Sequence, residues 1–274
     1  MPELPEVETV KNGLIKKVLN KKITNCEIIY EGIIAYPQKE EFIKNIINQT
    51  ITDIKRRGKF LIFELNDYYL ISHLRMEGKY FIKTKTETLN KHDHIIFTLN
   101  NEEELRYNDT RKFGKMHLVK KDELNKTPLS KLGLEPWDKE LTKDYLKQKL
   151  NKKKAIKTLL LDQSIITGIG NIYADEILFL SKINPETMGI NLTNKNLQDI
   201  IDNTKIILEK AINLGGTTIH TYTSVDGITG RFQQELLVHG KKSLPCPICN
   251  QEIMKITVNG RGTYYCPRCQ KNTQ

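Results

Sequence analysis

Apolar residues at Leu4, Val7, Val10, Leu14 and Val18 recur at spacings of three and four, which predicts an amphipathic helix at the start of the chain. Glu3 and Glu6 are one turn apart and point to one side of it. Short β-branched and aromatic runs follow: Ile23 to Tyr30, Phe60 to Leu65, Tyr69 to Leu74, His94 to Leu99 and Met116 to Val119. Turn residues and charges separate them, so they predict an antiparallel sandwich or barrel. The character changes at Leu132-Gly133-Leu134-Glu135-Pro136-Trp137, where a Gly and a Pro mark a linker. Beyond it the pattern is helical over Leu141 to Leu150, Ile156 to Gln163, Ile172 to Leu180 and Leu197 to Leu214, and Gly215-Gly216 ends the last of these. No repeat period and no low-complexity tract interrupts this order.

Composition narrows the partners. The chain has 274 residues, enough for two modest domains with their own cores. Lys and Arg number 43 against 33 Asp and Glu, so the formal net charge is +10 and polyanions are the natural ligands. No apolar run approaches the roughly 18 residues of a membrane span, and no basic and apolar leader pattern opens the chain. A reducing cytoplasmic compartment is expected, and Cys26, alone in an apolar stretch, reads as a buried inert thiol.

The other four cysteines form Cys246-x-x-Cys249 and Cys266-x-x-Cys269, with sixteen residues between the pairs. Each pair can clamp one edge of a metal and a hairpin between them can close the tetrahedron, which suits one structural Zn²⁺ with no open position. Two disulfides would need an oxidising compartment, and an iron–sulfur site is the less favoured metal. From Lys241 to Gln274 six cations face Glu252 alone. Arg261 lies between Gly260 and Gly262, at the expected hairpin tip, where it could grip a phosphate bidentately or simply be solvated.

Thr167-Gly168-Ile169-Gly170-Asn171 resembles half of a dinucleotide fingerprint, but Tyr173 stands where a third glycine belongs and the preceding pattern is helical. A turn that opens a helix with free amides suits a phosphate instead, with Asn171 available as a helix cap. Lys152, Lys153, Lys154 and Lys157 lie upstream, as phosphate contacts or as a solvated face. At the other end, removal of Met1 from Met1-Pro2-Glu3-Leu4-Pro5-Glu6 would leave a secondary amine beside two carboxylates, an arrangement suited to Schiff-base chemistry. The same residues suit an ordinary helix start, where Pro and Glu are favoured.

Taken together, the motifs resemble the bacterial formamidopyrimidine-DNA glycosylases over essentially the whole chain. The motifs are PELPEVET, RRGKFL around Lys59, HLRMEG around Met76, KHDH at His92, TRKFG around Phe113, GIGNIYADE at Asn171, GGTT at Thr217 and the four-cysteine ribbon. The resemblance implies an α+β fold: an N-terminal β-sandwich with flanking helices over residues 1–133, a helix–two-turns–helix domain over 134–240, and a zinc finger over 241–274. It implies a monomeric bifunctional glycosylase and lyase that excises 8-oxoguanine and formamidopyrimidines from duplex DNA in the bacterial cytoplasm, at the nucleoid.

The resemblance also implies residue roles. Pro2 would attack C1′ of the damaged nucleotide, Glu3 would be the general acid, and Glu6 would support that site. Lys59 would donate a proton in β-elimination and Arg261 would assist δ-elimination. Because the lesion must be extruded from the stack, Met76 and Phe113 would fill the vacated space and Arg111 would face the orphaned cytosine. Core packing is the other use of Met76 and Phe113. His92, Lys152, Lys157 and Asn171 would hold phosphates; His92 and His94 are weak candidates for a metal pair. Thr217, Thr218, Ile219 and Tyr222 would belong to a loop that closes over the extruded base. The chain departs from the commonest pattern at Thr221, where many relatives carry an acid, and at His239 and Lys241, where Tyr and Arg are common. Two other readings stand beside this one: an endonuclease VIII-like glycosylase for oxidised pyrimidines, disfavoured by Leu4, and a non-catalytic zinc-ribbon DNA-binding protein.

Overall fold

The computed structural model describes residues 1–217 and 230–272. The chain divides into two compact units: Met1–Ser130 with Gly215–Arg231, and Lys131–Leu214 with Phe232–Gln274. Among the described residues no helix is long and apolar enough to cross a membrane.

The first unit opens with helix α1 (Leu4–Val18), which buries Leu4, Val7, Val10, Leu14 and Val18 as its spacing predicts. Strands β1 (Ile23–Ile28), β7 (Asp93–Leu99), β8 (Glu103–Asn108) and β6 (Lys79–Thr84) form a four-stranded antiparallel sheet in the order β1-β7-β8-β6. A five-stranded sheet runs β2 (Ile34–Tyr36), β9 (Lys115–Lys120), β5 (Tyr68–His73), β4 (Phe60–Glu64) and β3 (Asp53–Arg57), with β2 and β9 parallel. One hydrophobic core joins both sheets: Cys26, Phe97, Leu105 and Tyr107 from the first meet Ile54, Phe63, Leu70 and Met116 from the second. Helices α1 and α2 (Lys39–Ile46) contribute Val10, Leu14, Phe42 and Ile46 to it. This is the expected sandwich with flanking helices. Strands β2, β3, β6 and β8 and helix α2 were not legible in the sequence pattern.

Register sets which segments emerge together where the strands end. Phe60, His73 and Lys115 are cross-strand partners, so the segments just outside β4, β5 and β9 emerge side by side. Asn108 pairs with both Lys79 and Asp93, which brings the ends of β6, β7 and β8 together in the same way. Lys59, Met76, His92, Arg111 and Phe113 all lie in these segments.

The second unit contains helices α3 (Lys143–Leu150), α4 (Ile156–Leu160), α5 (Asn171–Leu180) and α6 (Asn194–Asn213), then a hairpin of β10 (Met254–Val258) and β11 (Arg261–Tyr265). Helix α4 is shorter than the pattern predicts. Beyond Leu160 the side chains compete for the backbone: Asp162 accepts from the Ser164 N–H, and the Gln163 amide donates to the Leu161 and Ile169 carbonyls. Phe179 of α5 packs with Val238, Ile253, Cys246 and Cys266, so the ribbon folds against that helix.

Candidate active site

Pro2, Glu3 and Glu6 are buried at the open end of α1. Glu6 Oε2 accepts the Glu3 backbone N–H at 2.8 Å, half of a capping arrangement that closes the first helical turn. Its other oxygen, Oε1, accepts the Thr217 N–H at 2.8 Å and the Thr217 hydroxyl at 3.1 Å. Glu6 therefore ties the helix start to a segment 211 residues away in sequence. Spacing alone showed a helix-start carboxylate; its long-range partner was not legible. Of the expected lesion-loop residues, Thr217 is placed in this way, whereas Thr218, Ile219 and Tyr222 lie outside the described residues, as does Thr221.

Lys59 is buried at the β3–β4 turn. Arg56 holds that turn against α1: its Nε donates to Glu8 Oε2 at 2.8 Å and its Nη1 to the Gly58 carbonyl at 3.1 Å. Burial raises the Glu8 carboxyl, but hydrogen bonds from Lys11 and Arg56 outweigh it and hold the group below its ordinary range. Next to this turn, the His73 ring lies edge-on to Phe60 with centroids 4.5 Å apart. Burial, followed by the charges of Arg75 and Lys59, pushes His73 down to about 3. The neutral ring accepts the Arg75 N–H on Nδ1 at 3.0 Å, fixing the turn that presents half-buried Met76.

Phe113 is 49% exposed. The Arg111 guanidinium lies over its ring, 4.8 Å from the centroid. The exposure argues against core packing for Phe113. His92 is half-buried on the neighbouring segment; its N–H donates to Asn90 Oδ1 at 2.9 Å and its carbonyl accepts the Asp109 N–H at 3.0 Å. His94 is buried and its Nε2–H donates to the Asp109 carbonyl at 2.8 Å. No cluster of three or more metal-ligating side chains forms around this pair among the described residues, so the His92–His94 metal idea gains no support. Asp109, which organises this region, was not singled out in the sequence because nothing in its local spacing distinguishes it.

In the second unit, Lys152 is exposed with Lys153 and Lys154, as a phosphate contact requires. Lys157 corrects the expectation. It is fully buried, and its Nζ donates to the Asn171 carbonyl at 2.8 Å and to Asp175 Oδ1 at 2.5 Å. It lies on the inward face of α4 with Ile156 and Leu160, where it neutralises a buried carboxylate rather than facing a phosphate. Asp175 Oδ2 accepts from His239 Nδ1 at 2.6 Å, and the His239 ring meets Tyr264 edge-on at 5.0 Å. The adjacent Glu176 accepts the backbone N–H groups of Leu237, Val238 and His239.

Asn171 does not take the helix-cap position. Gly170 is the helix cap, and Asn171 is the first residue of α5. The Asn171 side-chain amide donates to the Gly262 carbonyl at 2.9 Å, next to Arg261. Arg261 itself is exposed and follows the tight Asn259-Gly260 turn, where both residues have positive φ. Asn171 thus acts on the strand that begins with Arg261.

The four thiols of Cys246, Cys249, Cys266 and Cys269 lie within 4.8 Å of one another, with Sγ pairs at 3.4, 3.5 and 3.9 Å. A tetrahedron of ~2.3 Å zinc–sulfur bonds has sulfur–sulfur edges of about 3.8 Å, so the donor set fits zinc closely. Four protein ligands leave no position for substrate, which makes the site structural.

Three family models match the chain in order. They are the formamidopyrimidine-DNA glycosylase N-terminal domain over residues 1–116, its H2TH domain over 132–223, and a zinc finger found in FPG and IleRS over 243–272. A formamidopyrimidine-DNA glycosylase of Oceanobacillus iheyensis is 47% identical over 277 residues, covering 100% of this chain and 99% of the relative. One of Bacillus subtilis is 47% identical over 273 residues, covering 98% and 99%. The fold superposes on a Lactococcus lactis FPG mutant in complex with a Fapy-dG containing DNA with a TM-score of 0.93, at 43% identity and covering 99% of this chain and 100% of that one. Wild-type Lactococcus lactis FPG in complex with an oxidised pyrimidine containing DNA gives a TM-score of 0.92 at 42% identity, covering 99% and 100%. The zinc-finger match and the sulfur geometry together identify the cysteine cluster as the seat of one structural zinc.

Proposed function

The chain belongs to the formamidopyrimidine-DNA glycosylase family, and from that premise we propose that it excises oxidised purines from duplex DNA and then cleaves the strand by β,δ-elimination. As a base-excision-repair glycosylase it takes damaged DNA as its partner. The finer reading is that 8-oxoguanine and formamidopyrimidines are the preferred lesions and that the bacterial cytoplasm, at the nucleoid, is the place of work. The division of labour follows residues 1–133 for chemistry, 134–240 for duplex grip and 241–274 for the finger.

The observation that carries this reading is the buried Pro2-Glu3-Glu6 group at the start of α1, with Glu6 held on both oxygens. Once Met1 is removed, Pro2 presents a secondary amine whose neutral form is the nucleophile. Its lone pair attacks C1′ as the base departs, and Glu3 supplies the proton that opens the sugar. The resulting iminium acidifies the C2′ proton, whose loss expels the 3′ phosphate; a second elimination, assisted by Arg261, expels the 5′ phosphate. Lys59, close to the same helix start through Arg56 and Glu8, supplies a proton during the first elimination. Glu6 keeps the helix start and Thr217 together and serves as a positioning residue.

Extrusion of the base is served by Met76 and Phe113, which fill the gap, and by Arg111, which faces the opposite cytosine. His92, Lys152 and the amides at the start of α5 grip phosphates. Zinc holds the finger that carries Arg261 and supplies no chemistry to the reaction. Because a relative binds an oxidised-pyrimidine duplex, substrate choice is tested side by side. We expect faster cleavage of an 8-oxoguanine·cytosine duplex than of a thymine glycol duplex, leaving phosphate on both ends of the gap. Preference for thymine glycol would move the chain to the pyrimidine branch, and binding without cleavage of either would reduce it to a DNA-binding protein.

A further inference from the structure

Two turns present the side chains assigned to the extruded base's space: residues 74–78 carry Met76, and residues 109–114 carry Arg111 and Phe113. Both close on one oxygen atom. Tyr107 is fully buried on β8. A Cβ added to Gly78 would lie 2.3 Å from the Tyr107 hydroxyl, and one added to Gly114 would lie 1.7 Å from it. Only glycine at these two positions lets both turns approach so closely. The hydroxyl also lies 3.5 Å from Asp109 Oδ2, its acceptor.

Asp109 is 0% exposed and every polar atom it has is used. Its N–H donates to the His92 carbonyl at 3.0 Å, and its own carbonyl accepts from His94 Nε2 at 2.8 Å and from the Lys112 N–H at 3.3 Å. Oδ1 accepts the Arg111 N–H at 3.0 Å, and Oδ2 accepts the Gly114 N–H at 2.8 Å. Lys112, in the left-handed region at φ 58°, is held from outside with its Nζ 4.6 Å from the centroid of the Tyr30 ring. A turn that waits in its bound shape avoids the ordering cost that a loose one meets on binding, ~0.5–1.5 kcal/mol for each long side chain immobilised.

We propose that Tyr107 and Asp109 are positioning residues that hold Met76, Arg111, Phe113 and His92 as one preorganised unit, and so set selectivity for the base opposite the lesion. The proposal rests on the roles given above to Met76, Arg111 and Phe113. Tyr107 and Asp109 are both fully buried. Their contribution is geometric, so it should appear in the discrimination between opposite bases rather than in binding strength alone.

The test compares wild type with Asp109→Asn, Tyr107→Phe and Arg111→Ala. It measures kcat and KM for 8-oxoguanine excision opposite cytosine and opposite adenine, melting temperature, and borohydride trapping on a duplex with a preformed abasic site. Asp109→Asn should lower the cytosine-over-adenine ratio by about tenfold, the scale of one charge-assisted hydrogen bond. Trapping at the abasic site should persist. Tyr107→Phe should move the ratio in the same direction by less, and it carries the test if Asp109→Asn does not fold. Equal losses on both duplexes, tracking the fall in melting temperature, would show a purely structural role and overturn the proposal. So would an unchanged ratio in both variants while Arg111→Ala abolishes it, which would leave the role of Arg111 intact. An unchanged ratio in Arg111→Ala would overturn that role, and the proposal with it.

Discussion

Replacing Pro2 by glycine keeps an α-amine but changes it from secondary to primary. The imine still forms, less readily, so strand cleavage should fall on the order of tenfold, or about 1.4 kcal/mol of barrier. Single-turnover cleavage measures this, and an unchanged rate would remove Pro2 from the mechanism. His73 gives a pH signature at the same scale. Its folded value of about 3 lies below its ordinary 6.5, so the unfolded chain takes up the proton first as pH falls. Its contribution is complete above about pH 6.5 and is lost as pH falls towards 3. His73→Gln retains an acceptor for the Arg75 N–H but does not titrate. Its melting temperature should therefore decline less steeply than that of wild type between pH 6.5 and 5; parallel curves would rule His73 out. Cys26 behaves in the opposite sense, because burial and then the charge of Glu27 push its thiol up to about 12. It should resist alkylation in the native protein at pH 8.

At the scale of the element, legibility followed locality. Helix α1 and strands β4, β5 and β7 were visible because a continuous apolar face or run announces them. Strands β3 and β8 were not, because they read Asp-Ile-Lys-Arg-Arg and Glu-Glu-Leu-Arg-Tyr-Asn. In β8, Arg106 is buried because Glu104 on the same strand and remote partners together satisfy it: Asp93 and the carbonyls of Thr84, Glu87 and Thr88. No local pattern encodes that set. Lys157 misled for the same reason, since its partner Asp175 is eighteen residues away on another helix. Asp175→Ala would remove the carboxylate that neutralises that buried ammonium, and we expect a loss of about 3–5 kcal/mol of unfolding free energy. Denaturant titration measures it, and a loss below that of an ordinary surface substitution would contradict the pairing. Between α1 and the segment at Thr217, Glu6→Gln turns an acceptor into a donor against at least one buried N–H, costing about 1–3 kcal/mol.

At the scale of the whole molecule, charge and metal govern the grip on DNA. With a net charge of +10, binding should weaken steeply with salt, at a log–log slope of about −0.9 per phosphate neutralised. A flat titration would argue against phosphate clamping by His92, Lys152 and the finger. Chelating zinc should unfold the ribbon, because its small core of Phe179, Val238, Ile253 and two of the cysteines is completed by the metal. DNA affinity should then fall while the sandwich retains its melting transition. Cys249→Ser should reproduce that effect; full affinity without bound metal would contradict it.

The central claim is that Pro2 becomes covalently joined to the damaged nucleotide. The most direct measurement mixes the purified protein with an 8-oxoguanine·cytosine duplex and sodium borohydride, then maps the cross-linked peptide. A reduced adduct on Pro2, with Met1 absent, is the predicted result. Efficient strand cleavage with no adduct, or an adduct mapped to a lysine, would contradict it.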